Sequence, residues 1–223
     1  MPVSEPSLLN YPLLFINAFQ NCLEAKAGLD SDVAPFIEAL RDVAPVAVDG
    51  NMEDLRHPLL AQLDDALNAA HGPPELVESV AGLSSGAGWY QVYTGDGLNA
   101  AMADFMLAKQ VVGPKGPFAS SSIRAGIFLL APNFEYLMHD HGALEIYYVH
   151  SGTVDIQNGT DAASRRLGPG QYSVTPSEMP HALHTGDAPV LLLFVWTGNV
   201  TAPIWWWVQG EDGKWSRTLA KRP

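Results

Sequence analysis

Two hydrophobic rhythms divide the chain. Near the start, Tyr11, Phe15, Phe19 and Cys22 recur at helical spacing, with Leu14, Ala18 and Leu23 beside them. Pro35 opens a second helical stretch, PFIEALRDVA. Pro58 stands at a first helical position, and Leu59, Leu60, Leu63, Leu67 and Ala70 make a stripe that stops before Gly72-Pro73-Pro74. PPELVESVAGL reads as a further short helix, and GLSSGAG then breaks the chain. From Trp89 the pattern turns to strands. WYQVYT is a short aromatic and β-branched run, and 98–112 fits helix or strand equally. Strand signals follow at Ile123–Leu130, Tyr136–His141, Glu145–Val149, Val154–Gln157, Gln171–Val174, His181–His184 and Val190–Trp196. The tail carries Trp205, Trp206, Trp207 and Trp215 and is expected to add a last strand. Many short strands joined by Gly-, Pro-, Asn- and Asp-rich turns imply a sandwich or a closed barrel. The expected class is α+β: a helical region over 1–85 packed on a β-barrel over 86–223.

Composition narrows the function. Of 223 residues, 47% are hydrophobic, enough for one sizeable core. No apolar run reaches the length of a membrane span, so no membrane partner is expected. The N-terminus, MPVSEPSLLNYPLLFINAF, lacks a basic segment and is expected to be mature chain. Cys22 is the single cysteine, which excludes an internal disulfide, fits a cytoplasmic setting and reads as a buried helix residue. Net charge is −12, with 15 acidic and 4 basic residues in 1–110 against 9 and 8 in 111–223. So acidic a chain is not expected to bind nucleic acid. The acidic helical surface reads as solvated, and a homodimer is compatible with it.

Candidate chemistry lies in HDHGALEIYYVHSG, from His139 to Gly152. His139 and His141, two apart, project to one face of a strand, and Glu145 opens the next apolar run. With His181 they make a nitrogen and oxygen set suited to a divalent first-row metal. Tyr147, two beyond Glu145, shares its face, either as an acid–base group or as a barrel-filling aromatic. Tyr136 is placed near the rim of the same pocket. Alternation puts His150 and His184 on the other face, with His150 at the surface or behind the ligands. His57 and His71 flank a helix and are expected to be exposed.

HxHxxxExxxxxxG, from His139 to Gly152, resembles the first cupin motif. GQYSVTPSEMPH, from Gly170 to His181, resembles the second, with Glu178 where that motif has the glycine of its turn. The resemblance implies a jelly-roll-type barrel with His139, His141, Glu145 and His181 as ligands of one divalent ion per chain: Fe, Zn, Mn, Ni or Co. The wider pattern YxxHxHxxxExY, from Tyr136 to Tyr147, resembles the cupin-type dimethylsulfoniopropionate (DMSP) lyases. Trp196 stands fifteen residues after His181, where such lyases carry a pocket tryptophan. The motif-level resemblance covers roughly 120–223 and is only architectural over 1–110. It implies β-elimination of a small zwitterionic sulfonium, DMSP, to acrylate and dimethyl sulfide. Tyr147 would be the base, and Tyr136 an alternative base or a substrate-positioning hydroxyl. Trp196 and Tyr136, with Trp89 or one of Trp205 to Trp207, would offer aromatic faces to the sulfonium. The other readings are an Fe(II) cupin dioxygenase, a lyase for another small carboxylate, and a non-catalytic cupin that senses a ligand or metal.

Overall fold

The computed structural model describes residues 10–44 and 54–221. Of the N-terminal stretch read above as mature chain, residues 1–9 lie outside them, and from Asn10 onward it is helix. Helices come first: α1 (Asn10–Ala27), α2 (Ala34–Arg41), α3 (Leu63–Asn68) and α4 (Pro74–Ser84). The leucine stripe after Pro58 is two pieces rather than one helix. A 3-10 turn over Pro58–Gln62 leads into α3. Strand β1 (Trp89–Gln91) follows. The ambiguous stretch then splits into helix α5 (Gly97–Ala103) and strand β2 (Met106–Val112).

The remaining strands are β3 (Ile123–Leu130), β4 (Glu135–Asp140), β5 (Ala143–Ser151), β6 (Val154–Asn158) and β7 (Arg165–Leu167). They continue with β8 (Tyr172–Thr175), β9 (His181–Thr185), β10 (Val190–Gly198), β11 (Ile204–Gln209) and β12 (Trp215–Lys221). They form two antiparallel six-stranded sheets, ordered β1-β2-β3-β10-β5-β8 and β12-β11-β4-β9-β6-β7. The architecture is the expected jelly-roll-type barrel behind N-terminal helices.

The two sheets differ in pattern because they differ in cover. Strands β2, β3, β5 and β10 are apolar almost without interruption and buried nearly throughout. Their inner face lines the barrel, and helices cover the outer face. On β5, Tyr148 meets Phe19 of α1 with ring centroids 5.7 Å apart, and its hydroxyl lies 3.4 Å from the Cys22 thiol. By contrast, β9 alternates buried with more exposed positions, as a sheet with one solvated face requires. Gly126 of β3 sits where a Cβ would lie 2.2 Å from the Lys109 carbonyl oxygen, so only glycine permits the close approach of β2.

Candidate metal centre

The centre is built across the barrel, from both sheets. Glu145 and Tyr147 come from β5. In register beside them on β10 are Trp196 and Phe194. From the opposite sheet, His139 on β4 pairs with His181 on β9 on one side and Trp206 of β11 on the other. His141 lies one residue past the end of β4. A pocket side chain is thus fixed by its place in a hydrogen-bonded ladder, which is the firmest support a site can have.

The three histidines are buried, and one ligand atom from each lies within 4.8 Å of the others. Their tautomers are set from behind. The Nδ1 of His139 donates to the Leu137 carbonyl at 2.8 Å, and that of His181 to the Met179 carbonyl at 2.9 Å. Nε2 of His139 and of His181 is then a lone-pair acceptor with no hydrogen-bond partner, while His141 turns its Nε2 to Glu145 and leaves Nδ1 without a partner. Burial, and then the neighbouring His181 and His141, hold His139 well below the usual imidazole range, so it is neutral and able to ligate.

Glu145 completes the cluster. Its Oε2 lies 3.2 Å from Nε2 of His141 and 3.1 Å from Nε2 of His181. Two ligands each about 2.1 Å from a common ion would stand roughly 3–3.4 Å apart, so these spacings suit shared ligation. Burial alone would raise the carboxyl, but His141 and His181 outweigh it and hold it well below the ordinary carboxylate range. Unpartnered buried nitrogens converging on an ionised carboxylate fit a divalent cation, and the donor set does not choose among Fe, Zn, Mn, Ni and Co.

The tyrosines flank this cluster. The Tyr147 hydroxyl lies beside the Glu145 carboxylate, and its ring lies 6.4 Å from that of His181. Tyr136 is stacked on His139 at 4.1 Å and is buried rather than at a rim. A bulge explains its position: three steps on β4, from Tyr136 to His139, pair with two on β9, from Leu183 to His181. The extra residue reverses the alternation and returns Tyr136 to the inner face. Burial pushes both phenols well above their ordinary range, and the charge of Glu145 adds to this. Tyr93, missed in the sequence, hydrogen-bonds Tyr136 at 2.5 Å and packs on Trp206. The short WYQVYT run gave no sign of it, since Tyr93 lies beyond the end of β1.

Trp196 does more than offer a face. Its indole N–H donates to Oε1 of Glu145, and its ring stacks on His141 at 4.1 Å. It also lines a cavity of about 50 Å³ with Phe128, Phe194, Tyr136, Arg124 and Tyr90. Trp89 is placed elsewhere, bonded to the Ser84 carbonyl. Of the tail tryptophans, Trp206 reaches the centre, 5.9 Å from the His139 ring, while Trp205 and Trp207 stack on Arg217. Glu178 holds a left-handed φ of 61°, so the turn of the second motif keeps its shape without glycine, and its N–H donates to the His141 carbonyl.

Four histidines lie outside the cluster. His71 and His184 are exposed. His57 is not: its side chain is 8% exposed, because Nδ1 caps the 3-10 turn by accepting from the Leu59 N–H. His150 is not at the surface either. It is fully buried, the extra residue of a bulge where Val149 and Ser151 pair with Leu192 and Leu191.

Comparison with known proteins supplies the family. The family model for dimethylsulfoniopropionate lyase matches residues 32–192. DMSP lyase DddQ of Ruegeria pomeroyi is 29% identical over 95% of this chain and 100% of its own. A putative DMSP lyase, DddL of Cereibacter sphaeroides, is 32% identical over 40% of this chain and 38% of its own. The crystal structure of the R. pomeroyi DddQ superposes with a TM-score of 0.65 at 27% identity, covering 84% of this chain and 95% of that one. With a buried three-histidine centre inside a cupin barrel, and a family match over most of its length, this chain belongs to the dimethylsulfoniopropionate lyase family of carbon–sulfur lyases.

Proposed function

We propose that this chain cleaves DMSP by β-elimination to acrylate and dimethyl sulfide, with His139, His141, Glu145 and His181 as ligands of one divalent ion. The observation that carries this reading is the meeting of the histidine cluster, Glu145 and two buried phenols inside the barrel, from both sheets. Bound there, the ion supplies Lewis acidity that polarises the substrate carboxylate and favours a nearby phenolate. Tyr147 takes the α-proton on its phenolic oxygen. The C–H electron pair becomes the new C=C bond, the C–S bond breaks, and neutral dimethyl sulfide leaves with the pair. Tyr136, held by Tyr93, positions the substrate or serves as the alternative base.

Trp196 fixes the free oxygen of Glu145, and its ring with that of Tyr136 forms part of the wall for the sulfonium. Each good cation–π contact there contributes about 0.5–2 kcal/mol. The cavity is small, about 50 Å³, which is room for a few waters and not for the substrate. Side chains along it must therefore shift for substrate.

The test is headspace dimethyl sulfide from protein loaded in turn with Fe, Mn, Zn, Ni and Co and given DMSP. Product is expected from the wild type, with Tyr147→Phe slowed by about 10²–10⁴-fold. Absence of product with all five metals overturns the lyase reading, and oxygen consumption in its place would point to a dioxygenase. Undiminished product from Tyr147→Phe removes the base from Tyr147 and leaves Tyr136→Phe to be measured.

A further inference from the structure

The cavity beside the metal centre has to widen for substrate, and its walls differ in how readily they move. At the deep end Phe128 stacks on Phe194 at 4.3 Å, and Tyr136 stacks on both Phe134 and His139, so these rings are locked by packing. The half-buried wall residues Tyr90, Val92, Arg124 and Ala202 mark the mouth. Of these, Arg124 has the long, flexible side chain. Among the described residues it makes no ion pair and no side-chain hydrogen bond that would hold it. Gly113 packs against its stem. A Cβ there would lie 3.4 Å from Arg124 Cγ, so the glycine leaves the stem room to turn.

The position of this cation bears directly on the sulfonium. Arg124 of β3 pairs in register with Trp196 of β10, which pairs in turn with Glu145 of β5. The inner face therefore carries a row of Glu145, Trp196 and Arg124, each about 5 Å, one strand spacing, from the next. The indole thus stands between the metal centre and the guanidinium. His141 stacks on that indole at 4.1 Å and covers one of its faces. The Arg124 guanidinium lies over the ring as well, 5.8 Å from its centroid. A sulfonium coming to Trp196 is left with the face that His141 does not cover, and there it meets a resident cation.

We propose that Arg124 is the gate of the substrate cavity: its guanidinium holds the sulfonium's seat on Trp196 and swings out towards the mouth as substrate enters. This deepens the lyase reading and takes the identity of the substrate from it. Two effects oppose any onium ion until the gate opens. The guanidinium–indole attraction has to be given up, and two cations at one aromatic face repel each other. A simple methylated cation exchanges one cation–π contact for another and is left with little net binding. A zwitterion held at the metal centre by its carboxylate has a second source of binding, so it displaces the gate and seats its sulfonium on the indole. The gate weakens both ligands alike, and only the doubly anchored one still binds well. Lys115 is a control built into the same mouth. Its ammonium lies 4.1 Å from the Tyr90 ring centroid, but the residue is exposed and is not part of the cavity wall.

The experiment has two arms, each on metal-loaded wild type, Arg124→Gln, Arg124→Lys and Lys115→Gln. The metal is the one that gives most dimethyl sulfide, or zinc if none does. In the first arm, tryptophan fluorescence and calorimetry measure binding of trimethylsulfonium. Arg124→Gln is expected to tighten it about tenfold, while Arg124→Lys, which keeps the charge, stays close to wild type. In the second arm, kinetics with DMSP are measured. Arg124→Gln is expected to lower KM about tenfold with kcat unchanged. Lys115→Gln is expected to leave both measurements at their wild-type values. Equal or weaker trimethylsulfonium binding by Arg124→Gln overturns the proposal. The same gain in Lys115→Gln also overturns it, since the cause would then be the overall charge of the mouth. An equal gain in Arg124→Lys does so too, since it would mark a merely enlarged cavity. Tighter trimethylsulfonium in Arg124→Gln, with no dimethyl sulfide from any of the four proteins, defeats the lyase reading and leaves the gate standing. Dimethyl sulfide release without that tightening does the reverse.

Discussion

His150 shows how a single residue can carry a cost unrelated to catalysis. It is fully buried in a bulge of β5, and neither ring nitrogen has a hydrogen-bond partner. Its backbone carbonyl accepts from the His71 N–H at 3.1 Å. Burial lowers its pKa from 6.5 to about 4, so the fold holds it neutral. As pH falls from about 6.5 to about 4, the unfolded chain binds a proton that the folded chain refuses, and stability drops by about 3 kcal/mol. Above pH 6.5 the residue makes no difference, and below about 4 the loss is complete. His150→Leu is expected to remove this acid-side loss and to keep full stability at pH 7. Urea unfolding of both proteins between pH 4 and 8 measures the difference. Parallel pH profiles would show that His150 is not neutral in the fold.

At the scale of elements, the C-terminal hairpin braces the metal-binding strand. Asp140, between His139 and His141, points away from the cluster and is buried, 1% exposed. Its carboxylate takes a hydrogen bond from Arg217 of β12 at 2.7 Å and another, at 2.5 Å, from the Trp207 indole of β11. Arg217 is itself stacked between Trp205 and Trp207. The pair ties β11 and β12 to the strand end that presents two of the three histidines. Arg217→Met leaves the carboxylate with a single donor and is expected to cost about 2 kcal/mol of stability. Metal affinity should fall with it, because the His139–His141 segment loses its brace. Denaturation and zinc titration of the variant check both effects, and unchanged zinc affinity would separate the hairpin from the centre.

For the molecule as a whole, the metal centre is also a structural joint. Glu145 belongs to one sheet, and His139 and His181 belong to the other. An ion held by all of them links the two sheets and binds only the folded chain. At a free-metal concentration of one hundred times Kd, it stabilises the fold by about 2.7 kcal/mol. Thermal unfolding before and after chelation is therefore expected to show a lower Tm without metal, restored on adding it back. A Tm indifferent to chelation would mean that the cluster holds no ion.

The histidine pair of the cluster, the β-class and the helical start were all open to reading because each is a local pattern. Spacing of two puts His139 and His141 together, alternation puts Tyr147 with Glu145, and helical periodicity marks α1. What depends on long-range pairing was not open to reading. A bulge against β9 turned Tyr136 inward, and another on β5 buried His150. No spacing along the chain reveals that Tyr93 meets Tyr136, or that Arg124, Trp196 and Glu145 stand in one row. The sequence by itself determined which chemistry was present and the local face of each group. Only the tertiary structure decided which groups meet, because strand register and bulges set that across sequence separations that no local pattern spans.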